Sequence, residues 1–134
     1  MSESALVTDT HALLYYAGGD RRLSRKAKAH FAACERREAL TYVPAAVLWE
    51  TSALVHAGRI NLNPSFRGFV ENLFSNPAYQ LVDLTTDQIF LAHELRPNSD
   101  PFDSLICAVA RQLELPLLTR DAEITRSGIV RTVW

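Results

Sequence analysis

Short apolar runs alternate along this chain with longer stretches of helical spacing, and this alternation restricts the fold more than any other feature. ALVT (5–8) precedes a helix over THALLYYA, with Asp9 or Thr10 at its start and Gly18-Gly19 at its end. Ser24 is placed to cap a second helix, SRKAKAHFAAC, with its basic residues outward. ALTYV (39–43) reads as a second strand, after which Pro44 opens the helix AAVLWETSALVHA, stopped at Gly58. Pro64 opens SFRGFVENLF, which ends near Asn76-Pro77. YQLVDL (79–84) is a third strand with the helix TTDQIFLAHEL behind it. A further helix starts at DPFD, PLLT (116–119) is a fourth strand, and GIVRTV (128–133) reads as a fifth. Such alternation predicts an α/β fold: three layers, α/β/α, around a mostly parallel central sheet of four to five strands. The 134 residues make one domain, 1–134, large enough to bury a full core without staples.

In parallel sheets, sites form beyond the carboxyl ends of the strands. Asp9 follows the first strand and Asp121 follows the fourth, in LLTRD. Each is also well explained as a turn or cap residue. Glu50 is harder to explain that way. On a helical wheel with Ala46 at zero, Glu50 falls at about 40°, between Ala57 at about 20° and Leu54 and Val47 at about 80–100°. Its carboxylate therefore sits within an apolar stripe, away from a polar side assigned to Thr51 and Ser52. An unpaired buried carboxylate is costly, so a functional role outweighs a salt bridge or a snorkelled edge position. Trp49, beside it, reads as core.

DPFD adds two more acids. Pro101 suits the first helical position, which makes Asp100 the N-cap and Asp103 the third helical residue of a capping-box-like start. Phe102, Ile106, Val109 and Leu113 form the expected buried stripe, with Asp103 at its border and Asp100 turned towards the polar side. The helix dipole favours the ionised form of Asp103 there. Asp100 is thus the positioning cap and Asp103 the candidate catalytic acid.

Four converging carboxylates repel, and their pKa values rise unless a cation lies among them. A hard divalent ion with oxygen ligands answers that need, and Mg²⁺ in particular binds through few carboxylates plus substrate phosphate. The implied chemistry is phosphodiester hydrolysis. The charge pattern is compatible. Net charge is −1, which opposes indiscriminate nucleic-acid binding, yet residues 21–37 carry seven of the fourteen Lys and Arg and one acid, Glu35. Alone, such a run is a solvated helix face. Beside an acidic site that needs an anionic polymer, Arg21, Arg22, Arg25, Lys26 and Lys28 become candidates for RNA backbone contacts.

The ordered set TDTHALLYY, VPAAVLWE, DPFDSLICAVA and LPLLTRD resembles the PIN-domain family, and within it the VapC-like endoribonuclease toxins of bacterial toxin–antitoxin modules. The resemblance runs from residue 6 to the closing tryptophan. It implies a cytoplasmic ribonuclease that uses Mg²⁺ or Mn²⁺ and cuts single-stranded RNA or exposed RNA loops. By position, the family's metal-binding acids fall on Asp9, Glu50, Asp103 and Asp121. Thr119 matches a polar position that supports the site, and Thr10 and Asp100 are placed as further supporting residues. The resemblance also implies a homodimer and inhibition by an antitoxin whose C-terminal segment wraps the toxin. Ser104 departs from the pattern, since an arginine commonly follows DPFD, and AEIT replaces an aromatic residue common after TRD. His11, in TDTH, is assigned to packing or bonding at the first helical turn.

Two other function classes compete. Phosphoryl transfer through an aspartyl-phosphate would make Asp9 the nucleophile, but TDTHA lacks a second aspartate two residues on, and both lysines lie at 26 and 28. A non-catalytic module that binds RNA or a partner would not need Glu50. Cys34 and Cys107 suggest neither a disulfide framework nor a metal knuckle, which favours a reducing compartment. MSESALVTDTHALL has no signal-peptide pattern, and no apolar run approaches the ~18 residues of a membrane span.

Overall fold

β1 (Ala5–Thr8), β2 (Leu40–Pro44), β3 (Tyr79–Val82), β4 (Leu117–Leu118) and β5 (Thr132–Val133) form one sheet in the order β3-β2-β1-β4-β5, with every pair parallel. Among the described residues, seven helices connect and flank them: α1 (Thr10–Gly18), α2 (Arg25–Glu35), α3 (Ala45–His56), α4 (Phe66–Phe74), α5 (Thr86–Leu95), α6 (Pro101–Leu113) and α7 (Ala122–Ser127). The computed structural model describes residues 4–134. Residues 1–3, the start of the segment read for a leader, lie outside the described residues.

The expected α/β architecture is present, with five strands. The chain steps outward from β1 to β2 and β3, then returns to place β4 and β5 on the other side of β1. With right-handed crossovers, that reversal puts the helices of the two runs on opposite faces of the sheet. The central strands are accordingly mostly apolar: Val7, Val43, Leu117 and Leu118 are fully buried, joined in the core by Phe31, Leu13, Ile106 and Val109. Val7 lies opposite Tyr42 on one side and Leu117 on the other. Between β1 and β4 the strand order reverses, and such a switch point opens a crevice at the carboxyl ends of the strands.

Helix starts follow the capping residues. Asp9, Ser24, Asp100 and Asp121 each accept a backbone N–H from the first turn of the helix they precede. Gly19 closes α1 in the left-handed region, φ 62°, as the Gly18-Gly19 pair predicts. Pro64, in contrast, stays outside α4, whose cap is Ser65 accepting from the Gly68 amide. β1 matches its run ALVT and β2 is shifted by one residue, whereas the other three strands are shorter than their runs. β3 ends at Val82, and β4 and β5 have two residues each, because neighbours across the sheet are in register only there.

Three burial assignments fail. Trp49 is 69% exposed, because α3 buries the side carrying Ala46, Val47 and Thr51 and Trp49 faces away from it. Thr51, read as polar surface, is completely buried; its hydroxyl donates to the Val47 carbonyl at 2.7 Å and so needs no water. On α6, Leu113 is 38% exposed, while Ser104, Cys107, Ala108 and Ala110 are buried. α6 is wrapped on several sides, packing against α5, α3 and β1. Small residues around its circumference, more than one apolar stripe, allow that approach. Both cysteines are free and buried. Among the described residues, no helix is long and apolar enough to cross a membrane.

Candidate active site

Asp9 leaves β1 at the switch point and caps α1. Its Oδ1 accepts the Ala12 amide at 2.8 Å and its Oδ2 accepts the Thr119 hydroxyl at 2.6 Å. Only 7% of Asp9 is exposed, and burial raises its pKa, against the opposing pull of Thr119, Ala12 and His11. Thr119 directly follows β4 and is buried. Its Oγ1 also accepts the Asp121 amide at 3.1 Å. One hydroxyl therefore joins the acid after β1 to the acid after β4. Asp121 in turn caps α7 through the Ile124 amide, 2.9 Å from Oδ1.

Glu50 stands half-buried on α3, where the apolar stripe of Ala46 and Val47 gives way to the crevice. Its Oε1 accepts the Thr10 hydroxyl from the first residue of α1, so the supporting role read for Thr10 has a definite bond. Asp103, also half-buried, accepts from Asn98 Nδ2 at 2.9 Å. Asn98 uses its own Oδ1 to take the Asp100 amide at 2.9 Å, which folds the segment before α6. Asp100 caps α6, accepting from Phe102 at 2.8 Å and Asp103 at 3.4 Å. Burial, then the charges of Asp100, Asp121 and Glu50, push Asp103 up to about 7, against the Asn98 bond. The helix dipole does not keep it low. Desolvation and three neighbouring carboxylates outweigh one helix terminus.

All five acids line one pocket of about 310 Å³, together with His11, Ala12, Tyr15, Arg120 and Trp134. His11 packs its ring on Tyr15, as its packing assignment expects, and it also faces this pocket. Of the basic candidates, Arg21, Arg22, Arg25, Lys26 and Lys28 are all exposed, and none is among the residues that line it. Arg22 reaches the rim, where it bonds Asp20 and lies over Tyr15. Lys26 lines a separate cleft beside α2. The cation in the pocket is Arg120, which the sequence reading passed over, as it did Asn98, Tyr15 and Trp134. The signal for Arg120 was its place inside TRD, between two residues already assigned to the site. Asn98 sits two residues before an N-cap, a position from which its side chain folds the chain locally.

The donor set is all oxygen, and the pocket's own positive charge is small against five carboxyl groups. That composition suits a hard divalent cation, which takes one or two carboxylates and keeps several waters. Among the described residues, no three His, Cys, Asp or Glu side chains are gathered closely enough to enclose an ion by themselves. Asp9 has each carboxylate oxygen bonded, and Glu50, Asp103 and Asp121 each hold one bond, so the acids are oriented individually by neighbouring donors.

Residues 6–129 match a sequence family described as PIN domain. No match was found among curated proteins. Solved structures with similar chains include VapBC2 from Rickettsia felis bound to a DNA fragment from their promoter, with TM-score 0.70 and 14% identity over 97% of this chain and 98% of that one. A toxin–antitoxin complex from Klebsiella pneumoniae gives TM-score 0.64 and 20% identity, covering 96% of each chain. FitAcB from Neisseria gonorrhoeae gives TM-score 0.66 and 15% identity, again over 96% of each. At such identities the likeness establishes a shared fold.

Proposed function

The chain belongs to the PIN-domain family, and from that premise we propose that it is a metal-dependent endoribonuclease, the toxin of a toxin–antitoxin pair acting in the cytoplasm. The observation that carries this reading is the meeting of Asp9, Glu50, Asp103 and Asp121, from four separate segments, in one pocket at the switch point of the sheet. Mg²⁺ or Mn²⁺ would be held among these four acids, through one or two carboxylates at a time together with water and substrate phosphate. When bound, the cation supplies Lewis-acid stabilisation of charge at the attacked phosphate and acidifies the attacking water.

The protein's own groups have distinct parts. Thr119 fixes Asp9 and the Asp121 backbone in one geometry, and Thr10 orients Glu50. Asn98 holds Asp103 with one oxygen engaged, leaving the other towards the pocket for a ligand or proton. Arg120 supplies a cation for a neighbouring phosphate, where guanidinium geometry suits two phosphate oxygens. Asp9 is poorly suited to covalent phosphoryl transfer, because both its oxygens are engaged and it is nearly buried.

Toxin–antitoxin complexes among the structural neighbours support an antitoxin partner. Exposed apolar groups give such a partner, and a second copy in a homodimer, surface to cover. Trp49 borders a groove between α3 and α4 with Phe66 and Val70, while Leu84, Ile89 and Phe90 project around α5.

The spacing of the acids favours a second reading, a PIN-like module that binds RNA or a partner without catalysis, because no three of them enclose an ion. Two measurements separate the readings. Calorimetric titration with Mn²⁺ should detect binding, and the Asp9→Asn and Asp103→Asn variants should each cleave RNA at least about 100-fold more slowly than the parent. Variants that cut RNA as well as the parent in Mg²⁺ would sink the catalytic assignment.

A further inference from the structure

One part of the pocket wall is not acidic. His11, Tyr15 and Trp134 line it beside Arg120. Their rings form a connected row: His11 and Tyr15 are tilted with centroids 6.0 Å apart, and Tyr15 meets Trp134 edge-on at 6.5 Å. Tyr15 is also braced by a cation. The Arg22 guanidinium lies 4.4 Å from its ring centroid and is itself held by Asp20 at 2.7 Å, and Arg22 does not line the pocket. Tyr15 and Trp134 are half-buried, so each keeps part of its ring accessible.

Carboxylates that hold a cation gain nothing from aromatic neighbours. Half-exposed, mutually braced rings beside a phosphate-sized cationic group suit a different object, a planar base attached to a sugar phosphate. Stacking on aromatic side chains is how sequence-tolerant sites hold unpaired bases, because every base has a π face. A paired base is shielded by its stack and must leave it to reach such a surface.

We propose that Tyr15 and Trp134 form a platform for one unpaired nucleobase of the substrate, one ring stacking on the base and the other, set at 70° to it, closing against the base edge, with Arg120 on an adjoining phosphate and Arg22 holding the platform in place. This rests on the ribonuclease reading of the same pocket and adds the residues that make it prefer single strands. Tyr15 and Trp134 are binding residues here; they do no proton transfer.

The chain has two tryptophans, so a Trp49→Phe background leaves Trp134 as the only indole reporter. A five-nucleotide single-stranded RNA and the same strand with an abasic centre, each carrying a fluorescein at its 3′ end, would be titrated in EDTA at low salt, with fluorescein anisotropy as the affinity readout for every variant and Trp134 emission as a second readout wherever Trp134 is kept. The intact strand should quench Trp134 and bind about 10-fold more tightly than the abasic one. Tyr15→Ala and Trp134→Ala should remove that preference, and Tyr15→Phe and Trp134→Phe should retain it. Equal affinity of the parent for both strands would overturn the platform, and that comparison needs no variant to fold. A preference that survives both alanine variants, shown to be folded by thermal melting, would overturn it equally. Binding is read without divalent ion. A parent that prefers the intact strand but never cleaves RNA in Mn²⁺ therefore overturns the nuclease reading alone, whereas one that cleaves but ignores the base overturns the platform alone.

Discussion

Asp103→Asn should make this protein more stable while disabling it, and only above a certain pH. In the native state the Asp103 carboxyl is carried from its ordinary 3.8 to about 7, first by burial and then by the charges of Asp100, Asp121 and Glu50. The sign follows from proton counting. Between those two values the folded chain holds a proton on Asp103 that the unfolded chain has lost, so stability falls as pH rises through the interval and is flat above it. The whole displacement corresponds to about 4 kcal/mol. Asp103 is only half-buried, and screening by solvent reduces this to about 2 kcal/mol. Asparagine removes the titration yet keeps an oxygen to accept from Asn98. Urea denaturation of parent and variant in EDTA should therefore coincide near pH 4 and separate by about 2 kcal/mol at pH 8, a midpoint change of about 1 M. Saturating Mg²⁺ should shrink the gap, because a bound cation stabilises the parent's ionised acid. A variant that is less stable than the parent at pH 8, or a gap that does not change with pH, would refute the reasoning.

Thr119→Val should cost about 1–3 kcal/mol, since it strips a donor from buried Asp9 and an acceptor from the Asp121 amide. The loss should grow with pH as Asp9 ionises without its partner, and Thr119→Ser should restore most of it, both measurable by urea denaturation. Phe31→Ala should cost about 3–5 kcal/mol because Phe31 is fully buried, whereas Trp49→Ala should change stability by no more than about 0.5 kcal/mol. Thermal melts of the two variants side by side check which aromatic residue is core.

The alternation of apolar runs and helical segments was enough to read the parallel sheet, because each strand of a doubly covered sheet must be apolar on both faces. The four acids were legible for a related reason: three of them follow strands or open helices, positions where backbone geometry is readable locally. Trp49 misled because its chemistry suggests burial, while its angle on α3 places it opposite Ala46, Val47 and Thr51. Thr51 misled in the opposite sense, its hydroxyl being satisfied within its own helix. Asn98 and Arg120 went unassigned although each had a local signal, whereas Tyr15 and Trp134 went unassigned because their importance lies in a contact between distant segments. Tyr15 and Trp134 meet across most of the chain, and no local period encodes that. The pKa of Asp103 was misjudged for the same reason. The helix start and Asp100 are local, but the burial that dominates, and the carboxylates of Asp121 and Glu50, come from elsewhere in the sequence.

β4 and β5 are two residues long, and β4 carries Thr119 and Asp121 at its end. Asp121, and the hydroxyl that ties it to Asp9, thus hang from one of the two shortest strands, while Asp9 grows from the longer central strand β1. Amide hydrogen exchange should therefore be faster at Leu117 to Asp121 than at Leu6 to Thr8. Opening of that margin would separate Asp9 from Thr119 without unfolding the rest of the chain. A ligand that ties the two sides together would act as a latch on the sheet's edge, and its occupancy would be written in the exchange rates of residues it never touches.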